Sequence, residues 1–587
     1  MASEDALPPP MQDAVPLDAL PVQPATDASS SSSSRPNAHQ QKYDRQLRLW
    51  AAAGQSALEH AHVLVINGNG TAASTLKNLV LPGVGHFTVL DPKITDAADV
   101  GANFFLDQNS IGLPRADQVV KFLVELNSDV NGTALVQSLD DLTDLSPYSL
   151  ILAVDVEDPD QLVRLADLAW EQQMPLIKVD TCGFYGTLRT QVKDITIVET
   201  HPESIVDLRL AHPFPALVEY ATSLDYDPMD SEQHGHIPAV AILIKALEDW
   251  KSAHGGQSPN GSAERKQFTD SVLALKRQTD EENFDEAVTL YRRAGTRHGI
   301  PAEIQALFND PACENVSSSS THFWLLLHAV RAFTRHPSNP SHLLPLSGAL
   351  PDMKATSSAY VTLQKVYKQK AREDLELVKQ LLAETLETVG LGAVRSVGIR
   401  EEEVESFVKH AAWLKVIRGR SLRQEYEACK FAGQIGSLLS SASFQEPPDI
   451  SLYIYAALRA SSLFYAAHAP HRRLPGTASP EGDPTYKCEE DAQELTNLAE
   501  GLMRQWIGEE DLATTVGIDE ASWKETLANV CKEVTRATPH STLPQTSALL
   551  GGMVAQEAIK LITRQYVPLG ATCVWDGIRS GTGIVDA

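Results

Sequence analysis

A short apolar strand that runs directly into a glycine turn constrains the fold of this chain more than any other feature. The strand is His62–Asn67 (HVLVIN), and the turn that follows is Gly68–Ala73 (GNGTAA). β-Branched, nearly all-apolar strands of this length are typical of the interior of a parallel sheet. Leu76, Leu79 and Val80 then recur at helical spacing. The segment therefore predicts the strand–turn–helix unit that begins a doubly wound α/β domain.

The same alternation of strand and helix continues to about residue 210. Further strands are predicted at His86–Asp91, Ser149–Val154 and Pro175–Asp180, and helices at Pro114–Leu126 and Asp160–Trp170. Strands that alternate with helices pair in parallel through right-handed crossovers. We therefore expect a doubly wound, mostly parallel sheet of the Rossmann-like class.

Helical periodicity dominates from about residue 210 onward, between loops rich in Pro, Ser and Gly. This pattern predicts one or two helical modules in a large insertion rather than a second sheet. Near the end, a helix is predicted over Thr546–Leu561 and a pair of short strands over Tyr566–Trp575. The expected organisation is a disordered tail (1–41), the first part of the α/β domain (42–210), a helical insertion (211–535) and a C-terminal completion of the α/β domain (536–587).

The glycine turn has the residues that a nucleotide site needs. Gly68 and Gly70 let backbone N–H groups approach a phosphate at the N-terminus of a helix. Asp91 closes the next strand, where a carboxylate can accept hydrogen bonds from ribose hydroxyls. The alternative is structural, with both glycines serving a tight turn and Asp91 capping a strand. We predict a vestigial nucleotide site at Gly68, Gly70 and Asp91.

Composition and charge exclude several classes of partner. The net charge of -27 argues against nucleic acid and against an anionic membrane surface, because both require basic protein surfaces. No apolar run approaches the roughly 20 residues of a membrane span, and the N-terminus does not have the pattern of a secretory signal. The six cysteines form no C-x-x-C pair, which favours reduced thiols in the cytoplasm or nucleus.

Motifs around the turn indicate a family. They are YDRQ (43–46), KNLVLPGVG (77–85), VLDP (89–92), NFFL (103–106), IGLPRA (111–116) and GGMVAQEAIK (551–560). Together they resemble the ThiF/MoeB-type adenylation domain of ubiquitin-like activating enzymes and their bacterial sulfur-carrier relatives. Further stretches are similar to the family of regulatory subunits of NEDD8-activating enzymes, namely LNSDV (126–130), HPE-x3-DLRL (201–210), PDM (351–353), LQKVY (363–367) and QEY (424–426).

This resemblance also implies that this chain lacks side chains that catalytic relatives use to bind ATP and Mg²⁺. In catalytic relatives an Arg that contacts ATP phosphates stands where this chain has Phe104–Phe105, and a Lys stands where it has Arg115. Arg keeps the charge of Lys but presents a planar fork. The family's Mg²⁺-binding Asp corresponds to Asp155, but the expected neighbouring Asn is Val156. A carboxylate at a strand end is also an ordinary feature, and we expect no metal site in this chain.

The thioester chemistry of catalytic relatives is likewise not expected here. Those relatives carry a nucleophilic Cys in a P-x-C-T-like segment, and none of the six cysteines matches it. Cys182 follows a predicted core strand, Cys429, Cys488 and Cys531 lie in or beside predicted helices, and an acidic loop should raise the pKa of Cys313. The insertion therefore resembles a catalytic-cysteine domain without its cysteine.

The resemblance assigns one possible catalytic contact to the YDRQ segment. In this family its Arg, here Arg45, reaches across the dimer to ATP bound by the other half. The alternative is an ordinary solvated Arg on a helix. The implied partners are a catalytic subunit, the modifier NEDD8 and, transiently, a conjugating enzyme. ATP and Mg²⁺ would bind at the catalytic subunit, with no cofactor held firmly by this chain.

Three rival functions stay open at this point. The first is a self-sufficient adenylating enzyme for a ubiquitin-like or sulfur-carrier protein. The second is a dinucleotide-dependent oxidoreductase, which is compatible with Gly68, Gly70 and Asp91 but has no evident proton donor. The third is a scaffold that never contacts nucleotide. The resemblance favours the regulatory subunit of a two-chain activating enzyme.

Overall fold

The computed structural model describes residues 36–200, 207–294, 299–392, 394–427, 448–469, 474–476, 488–507, 520–537 and 543–586. It divides into two units, residues 1–49 and residues 50–587. In the first unit, a five-residue helix, α1 (Ala38–Lys42), is capped by Asn37 and overlaps the end of the predicted tail. The next helix, α2 (Asp44–Glu59), is interrupted at Trp50 and Ala51, where the backbone leaves helical dihedral angles.

The second unit contains an eight-stranded sheet in the order β10-β9-β6-β5-β4-β1-β2-β3. Strands β1 to β5 pair in parallel, whereas β6, β9 and β10 form an antiparallel end. The strand bounds are β1 His62–Ile66, β2 His86–Leu90, β3 Asn131–Leu135, β4 Leu150–Val154, β5 Leu176–Cys182, β6 Tyr185–Gln191, β9 Thr572–Asp576 and β10 Gly581–Val585.

Helices cover both faces of this sheet and confirm the predicted doubly wound α/β class. On one face, Leu76 and Leu79 of the helix after the glycine turn join Val554 and Ala558 of the last helix in one core. On the other face, Leu162 and its neighbours pack on β4. The sheet helices are α3 Gly70–Val80, α4 Ala97–Ala102, α5 Arg115–Val124, α6 Pro159–Glu171 and, near the end, Pro544–Thr563.

The antiparallel end differs from the sequence prediction. The pair of strands expected over Tyr566–Trp575 is one strand there, β9, whose partner β10 follows it. Gly581 and Gly583 weaken the strand signal of β10. Gly583 is required by packing, because a Cβ at this position would lie 2.0 Å from the Ser451 hydroxyl. Strands β3 and β6 were also not predicted.

The remaining helices build the insertion, and most of them pack around two further cores, one that contains Ile242 and one that contains Leu326. Their bounds are α7 Pro215–Ser223, α8 Ser231–His234, α9 Ala239–Ala253, α10 Gly261–Leu273, α11 Glu282–Ala294, α12 Ala302–Phe308, α13 Pro311–Glu314, α14 His322–Arg335, α15 Ser357–Thr388, α16 Glu401–Lys409, α17 Leu422–Glu427, α18 Ser451–His468, α19 Cys488–Ile507 and α20 Glu520–Ala537. The helix Pro544–Thr563 is then α21. Searched over the described residues, no helix has the length and apolarity that a membrane crossing requires.

The expectation that the insertion adds no second sheet is wrong. Strand β7 (Asp194–Ile197) pairs with β8 (Lys415–Arg418), which comes from the insertion, in a two-stranded antiparallel sheet. Four-residue strands so far apart in sequence leave no periodic signal. Helices α18 to α20 also share a core with Tyr185 and Val574 of the main sheet. Part of the insertion is therefore built onto the α/β domain itself.

Candidate active site

The glycine turn lies at the carboxyl edge of the parallel strands, where ligands bind in folds of this class. Asn67 leaves β1 with a positive φ of 70°, which Asn tolerates better than most residues. Asn69 then caps α3, its side chain accepting a hydrogen bond from the Ala72 N–H at 3.0 Å. The chain is thus turned sharply into the helix, as the sequence predicts.

Both glycines of the turn are in close contact with this chain's own atoms. A Cβ at Gly70 would lie 2.7 Å from the carbonyl oxygen of Ala102. A Cβ at Gly68 would lie 3.2 Å from Oδ2 of Asp91, which accepts a hydrogen bond from the Gly68 N–H at 2.7 Å. The packing of the turn thus accounts for both glycines without a phosphate.

Asp91 is fully buried, and its carboxylate is engaged inside the protein. Oδ2 accepts from Arg115 Nε at 2.6 Å, in addition to the Gly68 N–H, and Oδ1 accepts from the Lys93 N–H at 2.9 Å. Arg115 also donates through Nη1 to Asp99 at 2.7 Å. We refer to Asp91, Arg115 and Asp99 as the buried triad. A ribose hydroxyl would have to displace one of these contacts in order to bind Asp91.

The cation of the buried triad faces inward. The Arg115 side chain is 7% exposed. Burial acts to lower the pKa of Arg115, but the carboxylates of Asp91 and Asp99 outweigh it and raise this pKa above its ordinary value. Arg115 therefore stays charged and neutralises two aspartates. It is therefore not free to bind a phosphate.

The aromatic pair that replaces the phosphate-binding Arg is divided between core and surface. Phe105 is buried in the sheet core, whereas Phe104 is 94% exposed. Asn103 fixes this arrangement, since its side chain donates to the Gly68 carbonyl at 3.2 Å and accepts from the Phe105 N–H at 3.0 Å. At the position where the resemblance leads us to expect a cation in catalytic relatives, this chain presents an apolar ring to solvent.

Asp155 follows β4 and is held in the same way by internal hydrogen bonds. Its carboxylate accepts from the Thr181 N–H at 2.6 Å, the Thr181 hydroxyl at 2.8 Å and Asn69 Nδ2 at 2.6 Å. Its φ of 49° is unusual for Asp, and these contacts hold that conformation. Within the ranges that the structure describes, no group of three or more His, Cys, Asp or Glu side chains could hold a metal ion.

Comparisons with known proteins decide the family. The ThiF family matches residues 43–218. The chain is 35% identical over 551 residues to the NEDD8-activating enzyme E1 regulatory subunit of Xenopus laevis, covering 92% of this chain and 97% of that protein. The NEDD8-activating enzyme E1 regulatory subunit of Danio rerio is 36% identical (92% and 97% covered), and AXL of Arabidopsis thaliana, also named a NEDD8-activating enzyme E1 regulatory subunit, is 33% identical (92% and 97%).

This chain belongs to the family of NEDD8-activating enzyme E1 regulatory subunits. Identity of this order over almost the full length of both chains covers the helical insertion as well as the α/β domain. The resemblance that the YDRQ, NFFL and GGMVAQEAIK segments indicate is thereby confirmed.

Burial disfavours the thiolate form of four cysteines among the described residues. Cys182, Cys313, Cys531 and Cys573 are buried, and burial raises the pKa of each thiol, to about 11 for Cys313 and about 12 for Cys531. For Cys313 the direction agrees with the sequence prediction, but burial is the main cause rather than the acidic neighbours. Cys488 is exposed, and Cys429 lies outside the described residues.

Arg45 lies in the first unit, on the exposed side of α2. Its neighbours Asp44 and Arg48 pair with each other across one helical turn at 3.1 Å. Within the described residues, Arg45 itself takes part in no ion pair. The regulatory subunit therefore exposes an Arg at the position where the family motif places one.

Three residues of the site were not predicted. Asp99 completes the buried triad, Asn103 positions Phe104, and Thr181 holds the carboxylate of Asp155. One sequence signal was available for Asp99, because this acidic residue lies four positions before the NFFL motif. It belongs to α4, the short helix that ends just before that motif. Side chains that act by internal hydrogen bonds leave no motif of their own.

Proposed function

We propose that this chain is the non-catalytic half of a heterodimeric NEDD8-activating enzyme. With its catalytic partner it adenylates the C-terminus of NEDD8, and the partner then holds the modifier as a thioester for transfer to a conjugating enzyme. ATP and Mg²⁺ bind at the catalytic subunit. The cytoplasm or nucleus is the expected location.

The observation that carries this proposal is the buried triad. A triphosphate needs cations directed at its oxygens. Of the two positions where relatives supply them, one is the exposed ring of Phe104, and the other, Arg115, is buried between two carboxylates. The residues present therefore do not fit ATP.

The contribution of this chain to catalysis is then made by Arg45. We expect its guanidinium to reach the α-phosphate of ATP in the partner, where it stabilises the negative charge that develops during adenylation. A preorganised donor of this kind is worth roughly a hundredfold to a thousandfold in rate when it is removed. Its exposed position and its lack of an ion pair among the described residues support this role.

The test compares two neighbouring arginines on α2 in the reconstituted heterodimer. Arg45→Ala should lower the rate of NEDD8-dependent ATP–pyrophosphate exchange by roughly a hundredfold. Arg48→Ala removes an equally charged side chain, paired with Asp44 on the surface, and should leave the rate within about twofold, because exposed pairs contribute little. Equal rates for both variants would refute the trans role of Arg45.

A second measurement addresses the self-sufficient alternative. The isolated chain, supplied with NEDD8, ATP and Mg²⁺, should show no ATP–pyrophosphate exchange above background. Exchange that persists without the catalytic subunit, and that is abolished by Asp91→Ala, would establish a working adenylation site and overturn the proposal.

A further inference from the structure

We propose that a cleft in the helical insertion binds an acidic peptide segment of another protein, with Arg209 as the buried anchor for its carboxylate. The cleft has a volume of about 1020 Å³, and Arg209 belongs to its lining. We call it the Arg209 cleft. Neither the glycine turn nor Arg45 takes part in it, so the inference goes beyond the proposed function and does not depend on it.

The Arg209 cleft lies where the two helical cores of the insertion meet. The long helix α15 belongs to both, because Tyr367 joins the core that contains Ile242 and Val378 joins the core that contains Leu326. Between these contacts, residues 365–374 of α15 line the cleft. Its other walls come from the start of α7, the end of α9 and the loop between α14 and α15. Clefts between packed modules are a common location of binding sites.

Arg209 brings a buried cation to this cleft. Its side chain is only 7% exposed, and its backbone φ of 55° is uncommon for a residue other than glycine. Nη2 donates to the Leu344 carbonyl, and Nε pairs at 3.3 Å with Asp207, which is 49% exposed, so solvent weakens this pair. Over the residues that the structure describes, the guanidinium makes no other hydrogen bond. Its remaining N–H groups can therefore bind a carboxylate that enters the cleft.

The other charged groups of the lining leave an excess of cations. Two ion pairs within the lining cancel, namely Glu248–Lys251 at 2.7 Å and Lys370–Asp374 at 2.8 Å. Arg209 and Lys365 then stand against Glu373 alone. Lys365 is exposed and takes part in no ion pair within the described ranges. In a chain with a net charge of -27, a cleft with this balance favours an anionic occupant.

Apolar side chains define the rest of the occupant. They are Pro213, Phe214, Pro215, Val218, Pro340 and Val366. The Phe214 ring is held edge-on against Tyr367 at a centroid distance of 5.5 Å, and the prolines on either side of it restrict the backbone, so this wall is preformed. The volume lies at the upper end of the roughly 300–1,000 Å³ that small ligands occupy, which favours a peptide over a single small anion. We expect an extended segment in which an Asp or Glu is flanked by apolar side chains.

The experiment selects ligands from a library of random short peptides displayed on phage. The target is the assembled heterodimer, so that a cleft covered by the catalytic subunit would capture nothing. Peptides that also bind a heterodimer carrying Ala216→Glu are removed, because Ala216 is exposed in the cleft wall and a Glu there obstructs and repels an acidic segment. The enriched peptides should contain Asp or Glu between apolar residues. They are then synthesised with an amidated C-terminus, so that the only carboxylates are those of side chains.

Fluorescence anisotropy then gives the affinity of these peptides for variants of the chain. Exchange of the acidic residue for its amide, and Arg209→Gln, should each weaken binding by roughly a hundredfold, because both remove one partner of a buried charge pair. Lys365→Glu reverses a charge at the rim and should weaken binding by roughly tenfold. Lys368→Glu is the matched control, since Lys368 is an exposed lysine of α15 outside the cleft lining. Its effect should stay within about twofold.

The proposal would be overturned if no peptide were enriched, or if the enriched peptides contained no acidic residue. It would also be overturned if Lys365→Glu and Lys368→Glu weakened binding equally. Thermal unfolding of Arg209→Gln shows whether its fold is intact, and Lys365→Glu, at an exposed position, decides the outcome if it is not. The readout is peptide affinity and not adenylation, so the result stands whether or not Arg45 acts in trans.

Discussion

Replacing Arg115 by Met tests the buried triad directly. The substitution keeps most of the side-chain volume but leaves the carboxylates of Asp91 and Asp99 without their cation. Asp91 is fully buried, and Asp99 is largely buried, so water cannot replace the lost contacts well. Removing one partner of a buried ion pair destabilises a protein by about 3–5 kcal/mol. We expect a loss in that range at pH 7.

The assay is urea unfolding of the isolated chain, with Arg164→Met as the matched control. Arg164 pairs with Asp140 at 2.8 Å, a distance similar to that of the buried pair, but both side chains are well exposed. Its loss should cost about 0–1 kcal/mol, because surface ion pairs are weak. The two arginines differ in burial and in the number of carboxylates that they join, and Arg164 also donates to the Leu139 carbonyl at 2.9 Å. The comparison therefore tests whether a cation buried between two carboxylates stabilises the fold more than an exposed cation does.

Two further variants sharpen the interpretation. Arg115→Lys keeps the charge but cannot reproduce the planar fork that joins two carboxylates, so its stability should be intermediate. Arg115→Met combined with Asp91→Asn removes both charges of the buried pair and should be more stable than Arg115→Met alone. The reasoning would be refuted if Arg115→Met lowered the free energy of unfolding by no more than about 1 kcal/mol, the loss expected for the exposed pair in Arg164→Met. The buried triad would then not stabilise the fold.

Two other predictions concern packing and pH. Gly70→Ala should destabilise the chain by about 1–3 kcal/mol through overpacking, whereas Gly101→Ala, with no atom within 4 Å of its Cβ, should be tolerated in the same unfolding assay. Burial lowers the pKa values of the stacked His62 and His86 below 6.5, and for His62 the charge of His86 adds to this. The unfolded chain then binds more protons, so this contribution to stability is complete above about pH 6.5 and is lost as pH falls through the folded pKa values. The midpoint temperature of thermal unfolding should drop between pH 7.5 and 5.5, and the drop should be smaller in His86→Asn. An equal drop in the unmodified chain and in His86→Asn would contradict the assignment of this pH dependence to the two histidines.

The parts of the fold that local sequence determines were predictable. The strand, turn and helix from His62 to Val80 are coded by adjacent residues, and the structure places them as expected. The antiparallel end of the sheet was not predictable, because β6 pairs with β9 from the far end of the chain, and such pairing has no local sequence signature. The two-stranded sheet of β7 and β8 was missed for the same reason.

In the candidate site, too, features that depend on local sequence were predictable, whereas contacts between distant residues were not. The sequence identifies Asp91 and Arg115 as positions of a nucleotide site, but not that the two side chains bind each other. The substitution at Phe104 is visible in the sequence, whereas its exposure depends on hydrogen bonds that Asn103 makes across the fold. Sequence motifs therefore predict where a nucleotide site of this fold would lie. The internal contacts of its side chains are visible only in the structure.

The joining of α21 and β9 to the start of the α/β domain sets the order in which this protein can fold. Gly551 of α21 packs so closely on α3 that a Cβ there would lie 2.7 Å from that of Ser74. These contacts cannot form until nearly the whole chain has left the ribosome, which extends proteins from the N-terminus at about 5–20 residues per second. During that interval the apolar face of α3 lacks its partner. The domain should therefore fold after translation, with high contact order, and its nascent form is a natural client for chaperones.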